Sequence, residues 1–162
     1  MPFTFEPAAP AELDAALAIA RAAAKSPYSH WDADYPNREI LAEDIAHGEL
    51  YFLRENGAPL AIIAILDESE EAIEFPWPEA KEHTCMLARL GILPEAQGRG
   101  LAAKAMRLAA EAARARGFTT ARLLASEDNP VTNHIYQKLG YEARGRARLW
   151  DSEDFVGYEL RL

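Results

Sequence analysis

Residues 93–102 read LPEAQGRGLA, two glycines, a glutamine and an arginine set between the apolar run LARLGIL and an alanine-rich stretch of helical spacing. A glycine-rich turn leading from a strand into a helix presents backbone N–H groups at the positive end of the helix dipole. That arrangement suits an anion, a pyrophosphate above all. Gly98 and Gly100 lack the Cβ atoms that would keep a phosphate off the backbone, and Arg99 adds a charged donor. The spacing is neither G-x-x-x-x-G-K-[ST] nor G-x-G-x-x-G, so the nucleoside-triphosphate and dinucleotide fingerprints both fail. The same turn would also serve close packing of strand on helix, and short glycine motifs do not separate the two uses.

The elements that must hold this turn follow from periodicity. FTFEP (3–7) reads as a short strand, and Pro10 opens a helix with Leu13, Leu17 and Ala20 at helical intervals. SPYSHWDADYP is too irregular for either period and is expected to be a loop. Asn37 is an N-cap for a second helix through Ile40, Leu41 and Ile45, with Gly48 at its C-terminal end. ELYFLRE (49–55) and PLAIIAILD (59–67), joined through NGA, form a hairpin. Residues 67–82 carry seven carboxylates against Lys81 alone and read as a solvated acidic insertion. HTCMLARLGIL (83–93) is a strand, and the following helix, ended by Gly117, places Leu101, Ala105, Leu108 and Ala112 on an apolar stripe. Lys104, Arg107, Glu111 and Arg114 fall on another face. FTTARLLAS (118–126) is a further strand. Asn129 and Pro130 cap a helix through Ile135 and Leu139 that stops at Gly140. YEARGRARLW and FVGYELRL alternate and close the chain as an antiparallel pair, with Val156, Tyr158, Leu160 and Leu162 on one face. The order is β-α-α-β-β-β-α-β-α-β-β, an α/β (α+β) chain expected to form a single domain over residues 1–162.

A chain of 162 residues suffices for one substantial core. No apolar run approaches the ~20 residues that span a bilayer, no secretory signal is visible, and the lone Cys85 cannot form an internal disulfide. A cytoplasmic setting and no membrane partner are expected. A net charge of -9 and a pI near 4.9 oppose nucleic acid as a partner, because its binding draws on clustered Lys and Arg.

QGRGLA (97–102) is similar to the Q/R-x-x-G-x-G/A signature of the GNAT N-acetyltransferase superfamily, and NPVTNHIYQKLGY (129–141) resembles that superfamily's N-x-x-A-x-x-L-Y-x-K-x-G-F/Y element. Thr132 replaces the usual alanine and Ala102 the second glycine. The resemblance implies a mixed, mostly antiparallel sheet of seven strands flanked by four helices, with central strands that splay to leave a V-shaped slot. It also implies acetyl-CoA (coenzyme A) as cofactor. The backbone around Leu90, Ile92 and Leu93 would pair with pantetheine. The amides of Gln97, Gly98, Arg99, Gly100, Leu101 and Ala102 would wrap the pyrophosphate, and Asn129 would touch the pantetheine arm.

Attack of an amine on a thioester needs a donor for the oxyanion, a base for the amine and a proton for the thiolate. By resemblance a backbone N–H near Ile92 polarises the carbonyl, and Tyr136, a weak phenolic acid in contact with the cofactor, is the general acid. Many relatives carry a carboxylate four or five residues before the position of Ile92. Here those positions hold Ala88 and Leu87, with Arg89 close by, and a direct carboxylate base is doubtful. Glu82, His83 and Glu127 could act through water, while a strand cysteine such as Cys85 is expected to be inert. Trp31, Tyr35, Phe75 and Trp77, with His83, could line an acceptor pocket, or the aromatics could close the core beneath long loops. The expected activity is acetyl transfer to a primary amine of a small molecule by direct attack in a ternary complex, by an acyltransferase that moves groups other than aminoacyl groups. The alternatives are acetylation of a protein N-terminus or lysine, and a noncatalytic acyl-CoA-binding regulator. The exposed face of the last two strands could pair two chains in a homodimer.

Overall fold

The computed structural model describes residues 2–25, 31–32, 34–67, 75–79, 81–149 and 153–162. Tyr28 and His30 of the aromatic loop, 68–74 and Ala80 of the acidic insertion, and Trp150 lie outside them. The strands are β1 Phe3–Pro7, β2 Leu50–Glu55, β3 Ala58–Asp67, β4 Thr84–Ile92, β5 Thr120–Ser126, β6 Glu142–Leu149 and β7 Glu153–Arg161. The helices are α1 Leu13–Ala23, α2 Arg38–Ala46, α3 Leu101–Ala115 and α4 Pro130–Lys138. Among the described residues no helix is long and apolar enough to cross a membrane.

The strands form one open sheet in the order β1-β2-β3-β4-β5-β7-β6. β1 with β2, β2 with β3, β5 with β7 and β6 with β7 pair antiparallel, and β4 with β5 is parallel. The mixed, mostly antiparallel sheet expected from the sequence is what forms. The parallel register runs from Thr84↔Thr120 to Met86↔Arg122. The chain gathers into two compact units, Met1–Ile65 with Arg89–Leu108, and Leu66–Ala88 with Ala109–Leu162.

In the first unit Asn37 caps α2 by accepting a hydrogen bond from the Ile40 N–H (2.9 Å), and Gly48 takes the left-handed conformation just past its end. Asn56 and Gly57, at φ 50° and 84°, make the tight turn between β2 and β3. Pro10–Glu12 is a 3-10 turn, so α1 proper starts at Leu13. Its buried residues are Ala16, Ile19, Ala20 and Ala23, while Leu13 and Leu17 are half-buried.

The stripe on α3 also differs from the expected one. Leu101, Ala105, Met106, Ala109 and Ala113 are buried, and Leu108 and Ala112 only partly so. Residues four apart form a continuous ridge on a helix, and methyl side chains along that ridge let the backbone come close to what it packs on. Alanine periodicity alone does not choose between neighbouring ridges.

In the second unit β7 lies between β5 and β6, in register from Thr120↔Arg161 to Ser126↔Phe155. The described part of the acidic insertion is anchored rather than freely solvated. Phe75 is buried against Gly157 and meets Trp77 in a tilted ring contact at 4.6 Å; the Trp77 ring in turn lies against the Arg122 guanidinium (4.5 Å). Arg122 donates to the Glu79 carbonyl at 2.6 Å.

Candidate active site

The 93–102 turn belongs to the first unit, and hydrophobic anchors on both sides hold it. Ala96, in a 3-10 turn over Pro94–Ala96, and Leu101, the first residue of α3, are buried with Leu53, Ala61 and Ala105. Leu90, Ile92 and Leu93 pack against the same cluster, and the Leu93 N–H donates to the Leu60 carbonyl at 2.9 Å. Between the anchors Gln97, Gly98, Arg99 and Gly100 are exposed, with Ala102 half-buried behind them. Gly98 and Gly100 have φ of 81° and 73°, and a Cβ built on either meets nothing within 4 Å. Glycine is therefore favoured here by the backbone conformation, with open space around both positions.

The first bond of α3 runs from the Lys104 N–H to the Gly100 carbonyl (3.1 Å). Among the described residues the N–H groups of residues 98–103 donate to no protein acceptor. A row of free amides at the N-terminus of a four-turn helix is a binding site for an anion. The two polar side chains of the turn are already engaged. Gln97 Nε2 reaches back to the Ile92 carbonyl (3.4 Å), and Arg99 donates to Glu55 Oε2 (2.8 Å).

Two of the aromatic residues singled out for the acceptor also lie in this unit. Trp31 packs on Gly91 of β4, where an added Cβ would stand 2.8 Å from its ring. Tyr35 is exposed, with the Arg89 guanidinium 6.0 Å from its ring. Arg89 itself adopts φ 55° within β4 and forms an ion pair with Asp44 of α2 at 2.7 Å, both side chains largely buried. Asp44 gave no signal in the sequence, being one carboxylate among several on a short helix. Arg21 fixes the loop by donating to the carbonyls of Asp32 (3.2 Å) and Pro36 (2.9 Å).

The second motif lies in the second unit. Asn129 Oδ1 accepts from the Thr132 N–H (3.2 Å) and so caps α4, with Pro130 in its first turn. Tyr136 is the buried residue of this helix, whereas Ile135 and Leu139, expected to face the core, are half-buried. The reason is an aromatic cluster: the Tyr136 ring meets Tyr158 edge-on at 5.8 Å and Tyr141 at 6.1 Å. Tyr158 donates to Asn133 Oδ1 (2.6 Å) and accepts from Gln137 Nε2 (3.3 Å). Asn133 Nδ2 donates to the carbonyls of Ser126 (2.9 Å) and Asn129 (2.6 Å), which ties α4 to β5 and β7. Among the described residues no hydrogen bond engages the Tyr136 hydroxyl. Burial, with a smaller contribution from Tyr158, pushes its pKa up to about 12, so it stays a protonated donor.

The other candidates of this unit are placed as follows. Trp77 is half-buried in the packing described above. His83 is exposed just before β4, and its carbonyl accepts from the Thr119 N–H (2.8 Å). Glu82 is exposed, Glu127 is paired with Arg146 at 2.7 Å, and Cys85 is fully buried. Sequence reasoning missed the pair of Arg122 with Glu159 (3.0 Å), both buried, with Lys81 (3.3 Å) and Arg144 (3.5 Å) on the other Glu159 oxygen.

A model of the acetyltransferase (GNAT) family matches residues 15–141, most of the chain and both motifs. The chain belongs to the GNAT acetyltransferase family. No curated protein matches it significantly. Solved structures share the GNAT fold at low identity. The candidate acetyltransferase yncA of Salmonella typhimurium, solved with its cofactor acetyl-CoA, is 18% identical, with a TM-score of 0.74 over 100% of this chain and 95% of that one. The PaiA N-acetyltransferase of Thermoplasma acidophilum, in complex with coenzyme A, is 16% identical, with a TM-score of 0.74 over 100% of both chains. A GNAT-family acetyltransferase of Streptococcus agalactiae is 23% identical, with a TM-score of 0.78 over 99% of this chain and 95% of that one.

Proposed function

We propose that this GNAT protein transfers an acetyl group from acetyl-CoA to a primary amine of a small molecule. The observation that carries the reading is the row of unengaged amides at residues 98–103, exposed at 98–100, carrying two left-handed glycines and set at the start of α3. These groups fit a diphosphate: the space around Gly98 and Gly100 is open, and the helix terminus favours negative charge.

When bound, acetyl-CoA supplies an activated acyl thioester. Residues Gly98 to Ala102 would hold its diphosphate through backbone N–H groups, and Leu90 and Ile92 would offer main-chain partners along the end of β4; the Gln97 N–H is instead bonded to the Pro94 carbonyl, and the Leu93 N–H and carbonyl to Leu60 and Ala96. Asn129 meets the pantetheine arm, and its role as helix cap fixes its position. Tyr136 is the proton donor to the leaving thiolate. Its burial and raised pKa keep the phenol protonated over the working pH range, and its hydroxyl is not tied up by another residue. Trp31 and Tyr35 present aromatic surface to the acceptor, and the net negative charge favours the approach of a cationic amine.

Incubation with acetyl-CoA and a panel of primary amines and peptides, with release of free thiol as the readout, tests the proposal. Turnover with small amines and none with peptides is expected. Turnover confined to peptides would make the chain a protein acetyltransferase. Coenzyme A binding without turnover on any acceptor would remove the enzymatic reading.

A further inference from the structure

The cation of the turn is already held by a carboxylate. β2 ends at Glu55, and the Asn56-Gly57 turn, whose Asn56 N–H donates to the Pro2 carbonyl (2.9 Å), fixes the tip of that hairpin. Arg99 sits between two left-handed glycines and reaches across to Glu55 Oε2 at 2.8 Å. Both side chains remain open to solvent, at 44% and 27% exposure. The hydrogen bond lowers the Glu55 pKa and raises that of Arg99. Within residues 93–102 Arg99 is the one cation and Glu95 the one carboxylate. The guanidinium is therefore the turn's own positive charge, and Glu55 neutralises it.

A diphosphate placed on the amides of residues 98–103 brings negative charge beside this pair. Charge-assisted bonds from arginine to phosphate and to carboxylate use the same planar fork of donors, so the two anions compete for one group. We infer that Glu55 is a built-in competitor for the diphosphate at Arg99, occupying the guanidinium in the free protein and yielding it when the nucleotide end of the cosubstrate binds. This rests on the acetyl-CoA reading above and adds to it a residue that sets affinity. Competition of this kind weakens the hold on coenzyme A as product as much as on acetyl-CoA, which favours release after each turnover.

Calorimetric titration of coenzyme A into the wild type, Glu55→Gln, Arg99→Gln and the double variant tests the inference, with pantetheine as a probe that lacks the diphosphate. Glu55→Gln is expected to bind coenzyme A about two- to fivefold more tightly, the scale on which exposed ion pairs act. Arg99→Gln is expected to bind it more weakly, and adding Glu55→Gln to Arg99→Gln should bring no further gain. Pantetheine affinity should be the same in all four proteins. Glu55→Ala, which removes the carboxylate in another way, should repeat the gain. Equal affinity in wild type and Glu55→Gln would overturn the inference and leave the acetyl-CoA reading standing. An equal gain in the Arg99→Gln background would also overturn it, because the carboxylate would then act only as a nearby charge. A wild type that takes up no coenzyme A would remove both.

Discussion

Gly98→Ala separates the two uses of the glycine turn. Gly98 has φ 81° and no neighbour within 4 Å of a built Cβ, so the substitution causes no clash in the free protein and its cost is conformational alone. Placing alanine in the left-handed region costs about 1–2 kcal/mol. For a domain of this size that lowers the melting temperature by roughly 2–8 °C. The new methyl also enters the open space of the turn that carries the amide row. If it forfeits one charge-assisted hydrogen bond to the diphosphate, worth ~1.5–3 kcal/mol, coenzyme A should bind about ten- to a hundredfold more weakly.

Gly117→Ala supplies the control. Gly117 follows α3 with φ 96° and equally open surroundings, so it carries the same backbone strain away from the turn. Thermal unfolding should show similar losses for the two variants, and calorimetry should show weakened coenzyme A binding in Gly98→Ala alone. If both variants lose stability and both bind coenzyme A like the wild type, the amides at 98–103 do not cradle a diphosphate and the glycines serve only the turn.

Tyr136→Phe should lower kcat by about a hundredfold or more, the scale of a lost general acid, with coenzyme A affinity little changed. With the phenol held protonated up to about 12, the wild-type kcat should show no alkaline fall from Tyr136 below about pH 10; equal kcat in both proteins would remove the assigned role. Burial opposes ionisation of Glu159, but hydrogen bonds from Arg122 and Lys81 outweigh it and hold its pKa below the usual carboxylate value. Its contribution to stability is thus full above the unfolded pKa of about 4.3 and is lost as pH falls through the lower folded value. Denaturant unfolding should find Glu159→Gln less stable than wild type at neutral pH, with the difference closing in acid; a constant difference would contradict the sign. Gly157→Ala would put a Cβ 2.5 Å from Phe75 and 2.9 Å from Trp77. Such overpacking should cost about 1–3 kcal/mol in the same measurement, and Phe75→Ala should recover part of it.

What could be read in advance was local. Asn37 and Asn129 cap helices by bonding to amides three residues on, Asn56-Gly57 needs only its own dihedrals, and the glycines of QGRGLA sit between a strand and a helix that each announce themselves. Such interactions lie within a few consecutive residues and leave their mark in composition. Arg122 with Glu159, Arg89 with Asp44 and Arg99 with Glu55 are 37, 45 and 44 positions apart; strand register joins the first pair, and only the packing of separate elements brings the other two together. The same holds for burial. Tyr136 is drawn inward by Tyr158 and Tyr141, and Phe75 settles where Gly157 lacks a side chain, whereas the helical period seen from α4 alone favoured Ile135 and Leu139.

Part of the frame around Asp32 and Pro36 is made by atoms outside the aromatic rings. Arg21 grips two of its carbonyls, and Asp32 Oδ1 accepts from the N–H groups of Asp34 (2.7 Å) and Tyr35 (3.0 Å). These four hydrogen bonds use no side-chain atom of position 31 or 35. Those two sites are the natural ones to randomise in a library seeking new acceptors, with Arg21 and Asp32 left untouched.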